Sequence, residues 1–205
     1  MRAVSGIDLP LVGGDLCLDY VNTVDTWQRE DRVDYLSDYR ALVGWATRAQ
    51  ALPKNQADRL IDRAATRQRQ ARLVHARAVA LRDALFYVFA PTDHPAAEPW
   101  LEIVNDELER AMRALHLRPA ESAYELVATT GDELDQVLWP MLRAATELAT
   151  SPALERVRSC PGEDCGWLFL DTSKAGRRRW CSMAICGNRL KTKRHRARAR
   201  LDITA

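Results

Sequence analysis

SCPGEDCGWLFLDTSKAGRRRWCSMAICGNR, residues Ser159–Arg189, holds four of the chain's five cysteines in two matched pairs. Four residues lie between Cys160 and Cys165, four between Cys181 and Cys186, and fifteen separate the pairs. Four unlinked thiols, or two disulfides, give no reason for that equal spacing. Four thiolates so placed can close a tetrahedral site, each sulfur about 2.3 Å from a zinc ion. Pro161, Gly162 and Gly166 permit the sharp reversal that wraps the first pair round a metal, and Trp167, Leu168 and Phe169 read as a short strand after it. Four protein ligands leave no open coordination position, so one zinc ion here is structural and not catalytic. A segment with so little core of its own draws much of its folding free energy from the metal.

Downstream runs CGNRLKTKRHRARAR, Cys186–Arg200, rich in cations and free of acids. From Thr172 to Ala205 there are 11 Lys+Arg against one acid, Asp202, a charge of +10. From Met1 to Asp171 there are 19 against 27, a charge of −8, and the whole chain carries +2. An acidic body joined to a basic end points to a polyanionic partner. The pattern predicts a helix from Cys186 to about Leu201, with Leu190, Ala197 and Leu201 on its apolar stripe. Arg189, Lys193, Arg196 and Arg200 then share an outward face, with Lys191, Arg194 and Arg198 beside them. Like charges so close repel one another, and phosphates would neutralise them. Arg177, Arg178 and Arg179 are placed to join as phosphate contacts. Asn188 either ties backbone near the cysteines or reaches a base edge; Arg189 either clamps a phosphate or braces the knuckle. The bland alternative is a solvated basic tail.

Upstream, LPLVGGDLCLDYVNTVD, Leu9–Asp25, reads as extended: an apolar run broken by Gly13-Gly14, then Leu16, Leu18 and Tyr20 in alternation. Helices are predicted over about Ser37–Gln50 (capped by Ser37 or Asp38, with Leu42, Trp45, Ala46 and Ala49 inward), Asn55–Arg67 (Leu60, Ile61, Ala64) and Gln70–Phe89 (Leu73, Val74, Ala78, Leu81, Leu85, Val88, Phe89). A further helix covers Pro99–Ala114, with Leu101, Val104, Leu108, Ala111 and Met112 inward. His116–Thr130 reads as two short strands around Pro119. A last body helix runs from about Glu133 to Thr150, kinked or truly started by Pro140. The fold class is α+β: a mostly helical body packed on a small antiparallel sheet, then a small zinc finger with a basic helix. The boundary falls near Ser151-Pro152, giving a body over 1–151 and a finger over 152–205. Asp19, Asn22 and Thr23 are polar residues in the apolar N-terminal segment. They either line an effector pocket or satisfy loop backbone groups.

No apolar run approaches the roughly 18 residues of a membrane span, and no basic-then-apolar leader opens the chain. Paired cysteines at metal spacing suit a reducing, cytoplasmic setting better than a disulfide framework. Cys17, among leucines, reads as a small buried hydrophobe. There is no Walker loop, nucleophile elbow, dinucleotide fingerprint or HExxH, and the carboxylates are scattered, so no enzyme is expected.

The segment from about Val157 to Arg200 resembles the CGNR zinc finger, whose motif is held here by Cys186, Gly187, Asn188 and Arg189. GGDLCLDYVNT, Gly13–Thr23, resembles the opening of the ABATE domain, which accompanies that finger in proteins taken for stress-induced transcriptional regulators. The resemblance implies zinc at the four cysteines, DNA as partner and a body that senses a small-molecule effector. A homodimer would suit it, since two half-sites gain affinity over one small finger. The rival readings are an RNA-binding zinc protein, an enzyme whose finger recruits a nucleic-acid or protein partner, and a protein–protein zinc module.

Overall fold

A computed structural model describes residues 9–91, 98–128 and 133–193. The fold is α+β, mostly helical with two small antiparallel sheets. At its centre lies α1 (Leu16–Val21), where extended structure was expected. Asp15 caps it, its carboxylate accepting the Cys17 N–H at 2.9 Å. Cys17, Leu18, Tyr20 and Val21 are all buried. The alternation misleads here because a helix buried on nearly every side shows no 3.6-residue stripe. Gly13 lets the preceding chain lie against this helix: a Cβ there would meet the Asp19 nitrogen at 2.8 Å and the Leu18 carbonyl carbon at 2.9 Å.

Five helices build the body around α1: α2 (Tyr39–Arg48), α3 (Lys54–Thr66), α4 (Gln68–Phe89), α5 (Glu98–Ala114) and α6 (Trp139–Ala149). Asp38 caps α2 by accepting the Ala41 N–H at 2.7 Å. Leu42, Trp45 and Ala46 go inward as expected, with Ala49 partly buried. On α4 the buried stripe is Ala71, Val74, Ala78, Leu81 and Leu85. Leu73, expected inward, is 58% exposed because it sits a full step off that stripe. On α5 the stripe is Val104, Glu107 and Ala111, which leaves Leu101 and Met112 outside. Pro140 marks a true start: a 3₁₀ turn, Leu134–Leu138, ends where α6 begins, and Pro140 lies in the first turn of α6. There its missing N–H costs nothing.

The expected strand pair is present as β1 (Leu115–Pro119) and β2 (Tyr124–Ala128), with Leu117 opposite Leu126. After the 3₁₀ turn Pro152–Arg156 comes a second pair, β3 (Val157–Ser159) and β4 (Leu168–Leu170). The last described element is α7, residues 183–193, which opens in a π turn, Met183–Gly187, capped by Ser182. It starts three residues before Cys186. One buried apolar cluster runs without a break from Leu9 through the helices to Trp167, Leu168, Phe169 and the four paired cysteines. Cys17 belongs to that core and is inert, its thiol pKa pushed up by burial. No helix among the described residues is long and apolar enough to cross a membrane.

Candidate metal centre and the surfaces around it

The sulfurs of Cys160, Cys165, Cys181 and Cys186 all lie within 4.8 Å of one another, and all four residues are buried. Cys165 and Cys181 are 3.7 Å apart at sulfur, Cys181 and Cys186 3.6 Å. A tetrahedron with bonds of about 2.3 Å has edges of about 3.8 Å, so the cluster has the size of a tetrathiolate zinc cage. Its electrostatics agree. Cys160 is pulled down to about 2 by hydrogen bonds from the Cys165 and Cys181 thiols, and also receives backbone N–H groups of Cys181 and Gly162. Cys165 is pushed up to about 12, chiefly because its thiol proton is held by the Cys160 sulfur. Cys181 is raised by the same bonding to Cys160, and Cys186 by burial and by the charge of Cys160. Four thiolates crowded into one buried site repel one another, so a divalent cation is what holds them together. The four cysteines thus fit one structural zinc ion, which when bound ties the first knuckle, the second knuckle and the start of α7 together.

The first knuckle is shaped by the Cys165 N–H donating to the Gly162 carbonyl at 3.1 Å and by the Cys160 N–H donating to Trp167 at 2.8 Å. A Cβ on Gly162 would stand 3.2 Å from the Cys186 sulfur, so a side chain there would press on a ligand. The second knuckle hangs on Arg178, expected among the phosphate contacts. Its guanidinium donates instead to the carbonyls of Trp180 (3.1 Å), Leu170 (3.3 Å), Val12 (2.8 Å) and Cys181, and it lies 4.6 Å from the Phe169 ring centre. Its own N–H reaches Asp171 Oδ2 at 2.9 Å. A fork bound to four carbonyls is a strut between the second knuckle, β4 and the N-terminal segment.

The other expected nucleic-acid contacts divide into three groups. Arg177, Arg179, Asn188, Arg189 and Lys191 are exposed, with Arg179 over the Trp180 ring at 5.0 Å. Lys193 is paired with Glu163 at 2.5 Å, which joins α7 to the first knuckle. Arg194, Arg196, Arg198 and Arg200 lie outside the described residues.

Asp19, Asn22 and Thr23 spend their polar atoms on the chain itself. Asp19 Oδ1 accepts the Gly13 N–H at 2.7 Å, and burial raises its pKa to about 6. Thr23 donates to the Tyr20 carbonyl at 2.7 Å. Asn22 makes a reciprocal pair with β4: its amide donates to the Leu168 carbonyl at 2.8 Å and its oxygen accepts the Leu168 N–H at 2.9 Å. The Leu170 N–H reaches the Gly13 carbonyl at 2.7 Å. The motif around α1 is therefore a cradle for β4. Four more bonds extend it: Trp167 Nε1 to Val24 (2.8 Å), Trp27 N–H to Cys165 (2.8 Å), Gln28 Nε2 to Gly162 (3.2 Å) and Asp164 N–H to Gln28 Oε1 (2.9 Å). Trp27 is itself fixed by stacking on Phe86 of α4, centroids 3.9 Å apart, under the Arg32 guanidinium. Behind it Arg82, 1% exposed, holds Asp34 with two bonds of 2.7 and 2.9 Å. Gln28 escapes a sequence reading because it sits in an irregular loop with no period or spacing to mark it.

Comparison with known families follows the same division. The CGNR zinc finger model matches residues 156–199. The ABATE model, described as "putative stress-induced transcription regulator", matches residues 14–152. No curated protein matches the chain. With most of its length matched by the one model and its thiolate cluster by the other, the chain belongs to the ABATE family and carries a CGNR zinc finger.

Proposed function

We propose that this protein is a DNA-binding transcriptional regulator of the cytoplasm, in which the finger grips duplex DNA and the body dimerises or senses an effector. The observation that carries this reading is the thiolate cluster seated directly under α7, from which Arg189 and Lys191 project into solvent. Zinc fixes the start of that helix, which lies within the segment Thr172–Ala205 of charge +10. Arg177 and Arg179, exposed on the approach to the second knuckle, add to the same surface. The matched family's description as a transcription regulator supports the choice of DNA, and no reaction is assigned to the chain.

Fluorescence anisotropy with a labelled duplex tests it. If about five cations meet phosphates, log K falls against log salt with a slope near −4 to −5. Chelation should abolish binding, and zinc should restore it. Binding that ignores salt, or that survives chelation unchanged, would refute the reading. Structured RNA that outcompetes the duplex would shift the assignment to the RNA-binding alternative.

A further inference from the structure

The β1–β2 hairpin stands off the body: every residue from His116 to Leu126 is exposed. Side chains alternate across a strand, and opposite residues of an antiparallel pair share a face. The register pairs Leu117 with Leu126 and Pro119 with Tyr124. Leu117, Pro119, Tyr124 and Leu126 therefore form one apolar face, while Arg118 and Glu125 lie on the other, bonded to each other at 2.6 Å. Leu117 is 66% exposed, Tyr124 72% and Leu126 52%; Met112, near the end of α5, is 64% exposed. A lone two-stranded hairpin is marginal in water, and it needs a cover on its apolar face to persist.

We propose that this face is where a second copy of the chain docks, hairpin against hairpin across a two-fold axis. The area fits. The four exposed side chains offer on the order of 500 Å² per copy, so a symmetric pair buries on the order of 1,000 Å², the lower bound for a specific interface. Charge fits as well. Residues 115–128 hold one cation, Arg118, and two acids, Glu121 and Glu125; Arg118 is bonded to Glu125, and on α5 Arg113 to Glu109, so two copies meet with only the small repulsion of one Glu121 on each. A face with so little charge, and that little negative, disfavours a nucleic acid or a charged peptide as the occupant. Antiparallel pairing is self-complementary, so Leu117 and Leu126 of one copy can meet the same residues of the other. This names the surface for the dimerising role proposed for the body, and it does not depend on DNA binding.

The test is mass in solution. Sedimentation of the zinc-loaded full chain should give a dimer, and the double variant Leu117→Glu/Leu126→Glu should raise its dissociation constant at least ~100-fold. Both positions are exposed, so the helical circular dichroism should not change. A Tyr124→Arg variant gives a second reading at a neighbouring position. In Leu117→Cys, a short bis-maleimide should join two chains, because all five native cysteines are buried. A wild-type chain that stays monomeric at 100 µM (~100 µM being a generous concentration for an interface of this size) overturns the proposal, as does a dimer that the variants leave intact. Neither result alters the salt-dependence test of DNA binding.

Discussion

Arginines 177, 178 and 179 are identical in type and adjacent in sequence, yet their surroundings give them different work. Arg178 points inward, and its fork bonds the carbonyls of Val12, Leu170, Trp180 and Cys181. Those carbonyls come from the body's N-terminal segment, from β4 and from the second knuckle, so one side chain fixes three pieces of chain. Hydrogen bonds to a charged donor are worth about 1.5–3 kcal/mol each, and they do not add fully. Arg178→Ala should cost about 3 kcal/mol in urea unfolding of the zinc-loaded protein, and Arg178→Lys should recover little, because an ammonium cannot span four acceptors in a plane. Arg177→Ala, exposed, should stay within about 0.5 kcal/mol of wild type. Equal unfolding midpoints for the Arg178 and Arg177 alanine variants would remove the strut.

At the scale of elements, helices α2 to α6 were readable because each has one wet side. Polar residues on that side throw the buried positions into steps of three and four, and Asp38 and Pro140 mark starts that the structure keeps. Helix α1 is buried on nearly every side, and its sequence cannot be told from a buried strand. The thiolate site was legible for a different reason: spacing encodes a metal cage directly. The cradle was not, since Asn22 announces itself only as a polar residue in an apolar stretch. Its role depends on β4, 146 residues away in sequence. The Leu168 N–H and C=O face away from β3, and the Asn22 amide meets both as a neighbouring strand would. Asn22→Ala strands two buried backbone groups, at a cost of about 2–3 kcal/mol. Asn22→Asp should be no better, because a carboxylate accepts the N–H but faces the Leu168 carbonyl without a donor. Amide exchange at Leu168 should accelerate in both variants; protection equal to wild type would show that β4 holds its edge without Asn22.

For the molecule as a whole, the finger and body share one core, so the metal's contribution should not stay local. The cradle joins Asn22, Val24, Trp27 and Gln28 to β4 and the first knuckle, and Trp27 carries that contact to Phe86 on α4. Removing zinc leaves buried thiols whose protons have no comfortable home, and it loosens the carbonyls of Gly162 and Cys165 on which the loop from Thr23 to Tyr35 rests. A structural zinc contributes roughly 10–16 kcal/mol in small fingers, as large as the whole stability of an ordinary domain at about 5–15 kcal/mol. Chelation should therefore lower the unfolding temperature of the entire chain in a single transition. Helical circular dichroism and the indole N–H resonance of Trp167 should move together, since the helices lie in the body and Trp167 in the finger. Zinc added back should restore both signals at one concentration. If the zinc-free protein instead kept its helical transition at the original temperature and lost only the Trp167 signal, body and finger would be separate folding units, and the cradle would be a contact between finished domains instead of part of one cooperative fold.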